Sequence, residues 1–204
     1  MQSQINPHFL YNTLESICGL ADLKRNADVV KIVNQLALFY RGVLSKGSSI
    51  ISMEDEILIT QTYLEILKIR YGDQMDYTLD FDPEVYKYKT IKLLLQPIVE
   101  NSIYHGLKNK RGKGHIRIKG SVKGEQLVIV VADNGVGIKK ERLDTILSRE
   151  ESDYKKKSFG LKSTDDRIKL YFGSEYGLEI VSEYGRGTMI TLRLPTHETR
   201  GDVE

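Results

Sequence analysis

Leu127-Val128-Ile129-Val130-Val131-Ala132-Asp133-Asn134-Gly135-Val136-Gly137-Ile138 joins a strongly apolar run to a polar, glycine-rich end. Its opening run of apolar, mostly β-branched residues reads as a strand against a core. What ends the strand has two readings. Asn134-Gly135 is a favoured two-residue hairpin loop, so a plain turn is one of them. The other is a binding edge: two closely spaced glycines let the backbone approach a planar ligand, and a carboxylate at the strand end accepts a hydrogen bond from an exocyclic amine. An adenine amino group suits Asp133.

On either side, residues 116–122 read as the strand paired with 127–132, and residues 178–181 and 189–194 as a closing pair. Helices are expected over 139–147 and 161–172, and a short strand over 75–81. Residues 90–107 have a helical apolar face built from Ile91, Leu94, Leu95, Ile98 and Ile103. Together these predict an α+β sandwich with helices on one face of a mostly antiparallel sheet.

From Pro7 to Tyr71 the apolar residues keep helical spacing instead. Leu10, Leu14, Ile17 and Ala21 form one stripe and Ile32, Leu36, Phe39 and Val43 another, both expected to face a core. Asn6-Pro7 fits either an N-cap with proline at the first helical position or a kink in a longer helix. Lys46-Gly47-Ser48-Ser49 is a break, and Ser52-Met53-Glu54-Asp55 resembles a capping box opening a helix that runs to about Tyr71. Two long helices joined by a helical connection have little core of their own and would gain by packing against a second copy as a four-helix bundle. The shift of period after Gly72-Asp73 places a boundary there, giving a helical region over 1–72 and a sandwich domain over 73–204.

Three further stretches carry chemistry. In Leu94-Leu95-Gln96-Pro97-Ile98-Val99-Glu100-Asn101-Ser102-Ile103-Tyr104-His105-Gly106, the polar residues Glu100, Asn101 and His105 lie on or beside one helical face. A solvated face is the plain reading. The apolar neighbours argue for burial, where a carboxylate and an amide are costly without a ligand, and a magnesium ion carrying phosphates would supply one. Ser158-Phe159-Gly160-Leu161 opens a helix after a polar stretch, a natural receiver of phosphate oxygens. Gly185-Arg186-Gly187-Thr188 is either a hairpin turn or a ligand contact.

The 204 residues carry 30 Lys+Arg against 28 Asp+Glu, a net charge of +2, and 40 % are hydrophobic. This is an ordinary globular balance, and it gives no general reason to expect nucleic acid or a membrane surface as partner. Cys18 is the single cysteine, which excludes an intramolecular disulfide and a multi-cysteine zinc site, fits a reducing compartment, and is expected to serve as a small buried hydrophobe. No stretch approaches the roughly 18 consecutive apolar residues of a membrane span, and the basic-then-apolar order of a signal peptide is missing. A cytoplasmic fragment is the expectation.

Order and spacing join these weak signals. An acidic-Asn helix, then Asp133 to Ile138, then a glycine-led helix, then Gly185-Arg186-Gly187-Thr188 before a strand ending at Leu194-Pro195 resembles the Bergerat-type (GHKL) ATP-binding domain of histidine kinases, the Hsp90 chaperones, DNA gyrase and MutL. The likeness covers about residues 73–196. Gln4-Ile5-Asn6-Pro7-His8-Phe9-Leu10-Tyr11-Asn12-Thr13-Leu14 closely resembles the phosphoacceptor box of the LytS/YesM group of sensor histidine kinases. Glu56, Tyr63-Leu64-Glu65, Lys68 and Arg70-Tyr71-Gly72 resemble the second helix of that group.

The resemblance implies ATP and Mg2+ as cofactors and a phosphoacceptor at His8, whose neutral imidazole attacks the γ-phosphoryl group. Asn12, one turn on, would orient His8. Asn101 would hold Mg2+, Glu100 would act as an acid/base or positioning group, and His105 would lie beside the phosphates. Asp133 would bind adenine with Thr188 close by, Gly135, Gly137, Gly160 and Leu161 would shape the pocket, and residues 139–159 would be a mobile lid. The implied partners are an aspartate of a response regulator receiver domain and a second copy of the chain. An upstream membrane-spanning sensory region is implied as well, and nucleic acid is not. The chain departs from the wider family pattern at Phe9, where many histidine kinases have an acidic residue after the phosphoacceptor, and at Tyr104, where a basic residue often stands.

Overall fold

The computed structural model of the chain describes residues 7–44, 49–108, 110–143, 146 and 159–196. The helical part begins with α1 (Pro7–Asp22) and α2 (Asn26–Leu44), separated by a tight turn in which Lys24 takes a positive φ of 55°. A three-residue strand β1 (Ile50–Ser52) leads into α3 (Met53–Tyr71). There are thus three helices where two joined ones were expected. Ser52 caps α3: its hydroxyl accepts from the Asp55 amide at 3.0 Å and donates to the Asp55 carboxylate at 2.7 Å, as the capping-box reading required. The Asn6 cap and most of the 46–49 break lie outside the described residues.

Of the two apolar stripes, Ile32 and Phe39 are buried with Leu36 and Val43 packed against the core, but the α1 stripe is not the buried face. Phe9, Thr13 and Leu20 point inward, while Leu14 and Ala21 are exposed. The aromatic ring of Phe9 has more apolar surface to bury than Leu14, and Thr13 is tolerated inside because its hydroxyl donates to the Phe9 carbonyl at 2.8 Å. Cys18 is exposed, against the expectation of burial.

The second half is a five-stranded sheet in the order β2-β4-β5-β7-β6, built from Met75–Phe81, Gly114–Lys123, Gln126–Asp133, Gly187–Pro195 and Gly177–Glu183 respectively. Only the β2–β4 pair is parallel. Alternate residues Ile116, Ile118, Leu127, Ile129, Val131, Ile190, Leu192 and Leu194 are buried, and the covering helices are α4 (Gln96–Asn101), continued by a π-helical turn over Ser102–Leu107, and α6 (Phe159–Phe172). A short α5 (Lys140–Leu143) is the described part of the helix expected over 139–147. This is the expected α+β sandwich.

The helix expected from Thr90 begins at Gln96 instead. Lys89–Ile91 forms β3, which pairs antiparallel with β1, and Leu93 has a positive φ of 58°. Helical geometry is excluded there because Glu56, fully buried on α3, accepts the amides of Leu93, Leu94 and Leu95 at 2.7–2.8 Å. From the other side Arg167 of α6 donates to the Lys92 carbonyl at 2.8 Å. Burial pushes the Glu56 carboxyl up, while the three amides and the nearby Arg167 guanidinium pull it down. Helix α3 is further tied to β2 by Tyr77 donating to Glu65 and by Lys68 pairing with Asp76.

Candidate active site

Strand β5 ends where the sheet meets the π-helical turn, and the junction is built from glycines. A Cβ on Gly135 would sit 2.4 Å from the Gly106 carbonyl carbon, and one on Gly106 would sit 2.8 Å from an Asp133 carboxylate oxygen. Val136 donates to the Gly106 carbonyl at 3.0 Å and accepts from Gly185 at 2.7 Å. Gly137 takes a φ of 67° with its Cβ direction blocked by the Glu183 carbonyl, so it serves the seam with the β6–β7 turn. Ile138 donates to the Ser182 hydroxyl, which donates in turn to the Gly187 carbonyl. The loop after β5 is therefore fixed on both sides.

Within that loop the polar residues divide their work. Asn134 accepts from the His115 amide at 2.8 Å and so belongs to the β4–β5 scaffold. Asp133 is 8 % exposed; its Oδ1 accepts from the Gly135 amide at 2.8 Å, whereas its buried Oδ2 has no hydrogen-bond partner among the described residues. Burial raises the Asp133 carboxyl above its ordinary range, opposed by the Gly135 amide and more weakly by the Ser102 hydroxyl and the Thr188 amide, which lie near the carboxylate without reaching hydrogen-bond geometry with Oδ2. A buried carboxylate oxygen without a donor is costly, and a ligand amine would meet that need. Thr188 lies directly across the ladder from Asp133 and is also buried.

The helix that carries Glu100 and Asn101 is short, and the Lys108 amide bonding back to the Ile103 carbonyl at 2.9 Å marks the wider π turn that follows. Glu100, Asn101, Tyr104 and His105 are all half-buried, and Gln96 donates to Glu100 at 3.0 Å. Gly160 and Leu161 open α6 beside this helix, with the Cβ direction of Gly160 facing Pro97 at 3.8 Å. Ser158 and most of the expected lid lie outside the described residues.

His8, at the start of α1, brings its ring to 6.3 Å from that of Tyr104, centroid to centroid. Asn12 stands one turn on, its amide nitrogen 3.0 Å from Nδ1 and 3.2 Å from Nε2 of His8. Phe9 stacks against Tyr63 of α3 at 4.7 Å and against Phe39 of α2 at 5.2 Å. The sequence-expected residues thus fall in two neighbouring groups, His8 with Asn12 and Glu100 to Thr188, bridged by Tyr104. Sequence reasoning missed three contributors: Gly106, Glu56 as the clamp of the turn before α4, and Tyr104 as a contact of His8. Only a glycine in an otherwise apolar helix end and an acidic residue amid the buried face of α3 hinted at the first two.

Residues 1–75 match the histidine kinase family model, and residues 87–198 match the family described as histidine kinase-, DNA gyrase B-, and HSP90-like ATPase. The chain is 36 % identical to the sensor histidine kinase YesM of Bacillus subtilis (strain 168), over 96 % of this chain and 32 % of that protein. It is 31 % identical to the sensor protein LytS of Staphylococcus saprophyticus, over 97 % of this chain and 33 % of that protein. The chain therefore spans about a third of the length of these curated relatives. The histidine kinase domain of the blue-light activated kinase EL346 from Erythrobacter litoralis shares the fold, with a TM-score of 0.51 at 17 % identity, covering 83 % of this chain and 75 % of that one. The chain belongs to the histidine kinase-, DNA gyrase B-, and HSP90-like ATPases through its second half, its helical segment matches the histidine kinase model, and it is similar along its length to the sensor histidine kinases YesM and LytS.

Proposed function

We propose that the chain is the catalytic core of a two-component sensor kinase, which phosphorylates His8 from ATP and passes the phosphoryl group to an aspartate of a response regulator receiver domain. The observation that carries this reading is the buried Asp133 Oδ2, a carboxylate oxygen lacking a donor at the end of β5. It fits the amino group of adenine. Gly135, Gly137 and Thr188 frame that end of the pocket, and Gly160 and Leu161 the side toward α6.

The residues toward the phosphates fit a magnesium ion. No group of three or more His, Cys, Asp or Glu capable of holding a metal occurs among the described residues, and Mg2+ needs none, since it keeps waters and substrate phosphates and takes one or two protein ligands. Asn101 is the proposed ligand, with His105 next to the phosphates. Bound there, Mg2+ would neutralise charge developing between the β- and γ-phosphates. Asn12 would orient the imidazole: its amide nitrogen faces the ring, and the flipped amide, with its oxygen accepting from Nδ1–H, would leave the Nε2 lone pair for attack on phosphorus. Glu100, beside Asn101 on α4, is the proposed proton acceptor or positioning group.

Among the described residues no helix is long and apolar enough to cross a membrane. Anchoring through a region upstream of this chain remains part of the proposal. So does a homodimer, which the uncovered apolar side chains of α1 and α2, Leu14, Val30, Val33 and Leu38, support. Incubation with Mg2+ and γ-labelled ATP tests the reading. Acid-labile, base-stable label that disappears in His8→Ala is the expected result; nucleotide binding without label would reduce the chain to a binding module.

A further inference from the structure

Resting on the kinase reading, we propose that autophosphorylation runs within one chain, His8 being docked on Tyr104 of its own nucleotide-binding helix. Packing contacts run from Phe9, beside the phosphoacceptor, through α2 and α3 to the helix that carries Asn101. Phe9, next to His8, is 1 % exposed and held between Phe39 of α2 and Tyr63 of α3. Helix α2 is fixed to α3 by Lys31 pairing with Glu65 at 3.0 Å and by an approach so close at Gly42 that a Cβ there would lie 2.7 Å from Ile59. Helix α3 is keyed in turn to the turn before α4 by Glu56.

Tyr104 completes the path. It stands three residues after Asn101, one helical turn toward the C-terminal end, and its ring meets His8 at 6.3 Å with an interplanar angle of 57°. The same ring neighbours Tyr63 and Glu100. Phe9 therefore has a physical reason to occupy the position where an acidic residue is common. It anchors the start of α1 while Tyr104 receives the imidazole. His8 meets Tyr104 of its own chain with Phe9 fully seated, so transfer within the chain needs no unpacking of the start of α1. The uncovered faces of α1 and α2 stay available for self-association, so dimerisation and transfer within a chain are compatible.

In the transfer the Nε2 lone pair forms the N–P bond, the bond from phosphorus to the β–γ bridging oxygen breaks with its electron pair leaving on ADP, and the Nδ1 proton is then shed to water. The test uses two differently tagged chains expressed together and purified through both tags. One carries His8→Ala with an intact nucleotide site, the other keeps His8 but carries Asp133→Ala, with Asn101→Ala as a second nucleotide-site variant. Transfer within a chain predicts no label on either; label on the chain lacking a nucleotide site would overturn the proposal. If the tags do not co-purify, the wild-type labelling rate per chain is measured over a wide dilution range, and only a rate independent of concentration agrees with the proposal.

A readout free of activity accompanies this. In a Cys18→Ser background, His8→Cys with Tyr104→Cys is joined by a short bis-maleimide; a product of monomer mass is expected, and a linked dimer would contradict the docking. Tyr104→Leu is expected to lower labelling about tenfold through lost positioning, with nucleotide affinity unchanged. Wild-type chain that takes no label would defeat the kinase reading itself, and the cross-link would then decide the docking geometry alone.

Discussion

Helices α2 and α3 are each 19 residues long, and the more apolar of the two is the more exposed. In α2 only Ile32 and Phe39 are buried, and Val30, Val33, Leu38 and Leu44 face outward. In α3, which carries Glu54, Asp55, Glu56, Lys68 and Arg70, ten residues are buried, among them Glu56, Thr60 and Thr62. The polar members are admitted because they are satisfied: Thr60 and Thr62 donate to carbonyls one turn back, and Glu56 takes three amides. Apolar content thus reports how much surface a helix can bury, whereas burial itself depends on what lies opposite. In this chain α3 has the sheet domain opposite it, and among the described residues nothing lies opposite the outer faces of α1 and α2.

That contrast breaks first at Glu56. Removing it in Glu56→Ala leaves three buried amides without an acceptor, each costing about 1–3 kcal/mol, so a loss of at least about 3 kcal/mol is expected in urea unfolding. A loss under about 1 kcal/mol would mean that α3 is not keyed to the nucleotide domain. The next largest effect belongs to Asp133→Ala, which removes the proposed adenine acceptor and is expected to weaken ATP binding about 100-fold by calorimetry. Acidification should act in the same direction. Because burial raises the Asp133 carboxyl, the anion that accepts the amine is lost as pH falls through a range above that of an ordinary aspartate, and ATP affinity should decline there. Asp133→Asn should flatten that decline.

The α2 side of the contrast is tested by Val33→Asp. A charge on an uncovered face should leave monomer stability within about 0.5 kcal/mol, and a partner helix across that face should make self-association about tenfold weaker by analytical ultracentrifugation. Large loss of stability without a change in association would mean that Val33 packs inside its own chain.

How much of this was legible depended on the range of the interactions. The strands at 75–81, 114–123, 126–133, 177–183 and 187–195 were recoverable because alternation and turn residues are local signals, and the Ser52 cap was readable for the same reason. The helix expected from Thr90 failed because Ile91 to Leu95 has helical spacing, while a carboxylate 37 to 39 residues away takes its amides. The α1 stripe failed because periodicity marks an apolar face without saying which of Phe9 or Leu14 finds a pocket. In the site, Asp133 was legible as a carboxylate at a strand end beside Asn-Gly. Gly135 and Gly137 were legible as special positions, although their close neighbours are the Gly106 backbone and the Glu183 carbonyl, which no local pattern could name.

The smallest expected effect separates the buried tie between α3 and the sheet domain from the exposed one. Asp76 of β2 lies 2.8 Å from Lys68 of α3 and 3.2 Å from Lys113, with the Asp76 side chain 32 % exposed. Lys68, the Tyr77 amide and Lys113 together hold the Asp76 carboxyl below the usual carboxylate range. A depressed folded-state value means that the pair stabilises the fold at neutral pH, and that this contribution is lost only as pH falls through the ordinary aspartate range toward the lower folded value. Exposure and salt screening keep it small, so Lys68→Ala should cost at most about 1 kcal/mol at neutral pH and less in high salt. Measured beside Glu56→Ala, the two should differ severalfold. Similar losses from both would place the connection between α3 and the sheet domain in surface charge, and the buried carboxylate would no longer account for that tie.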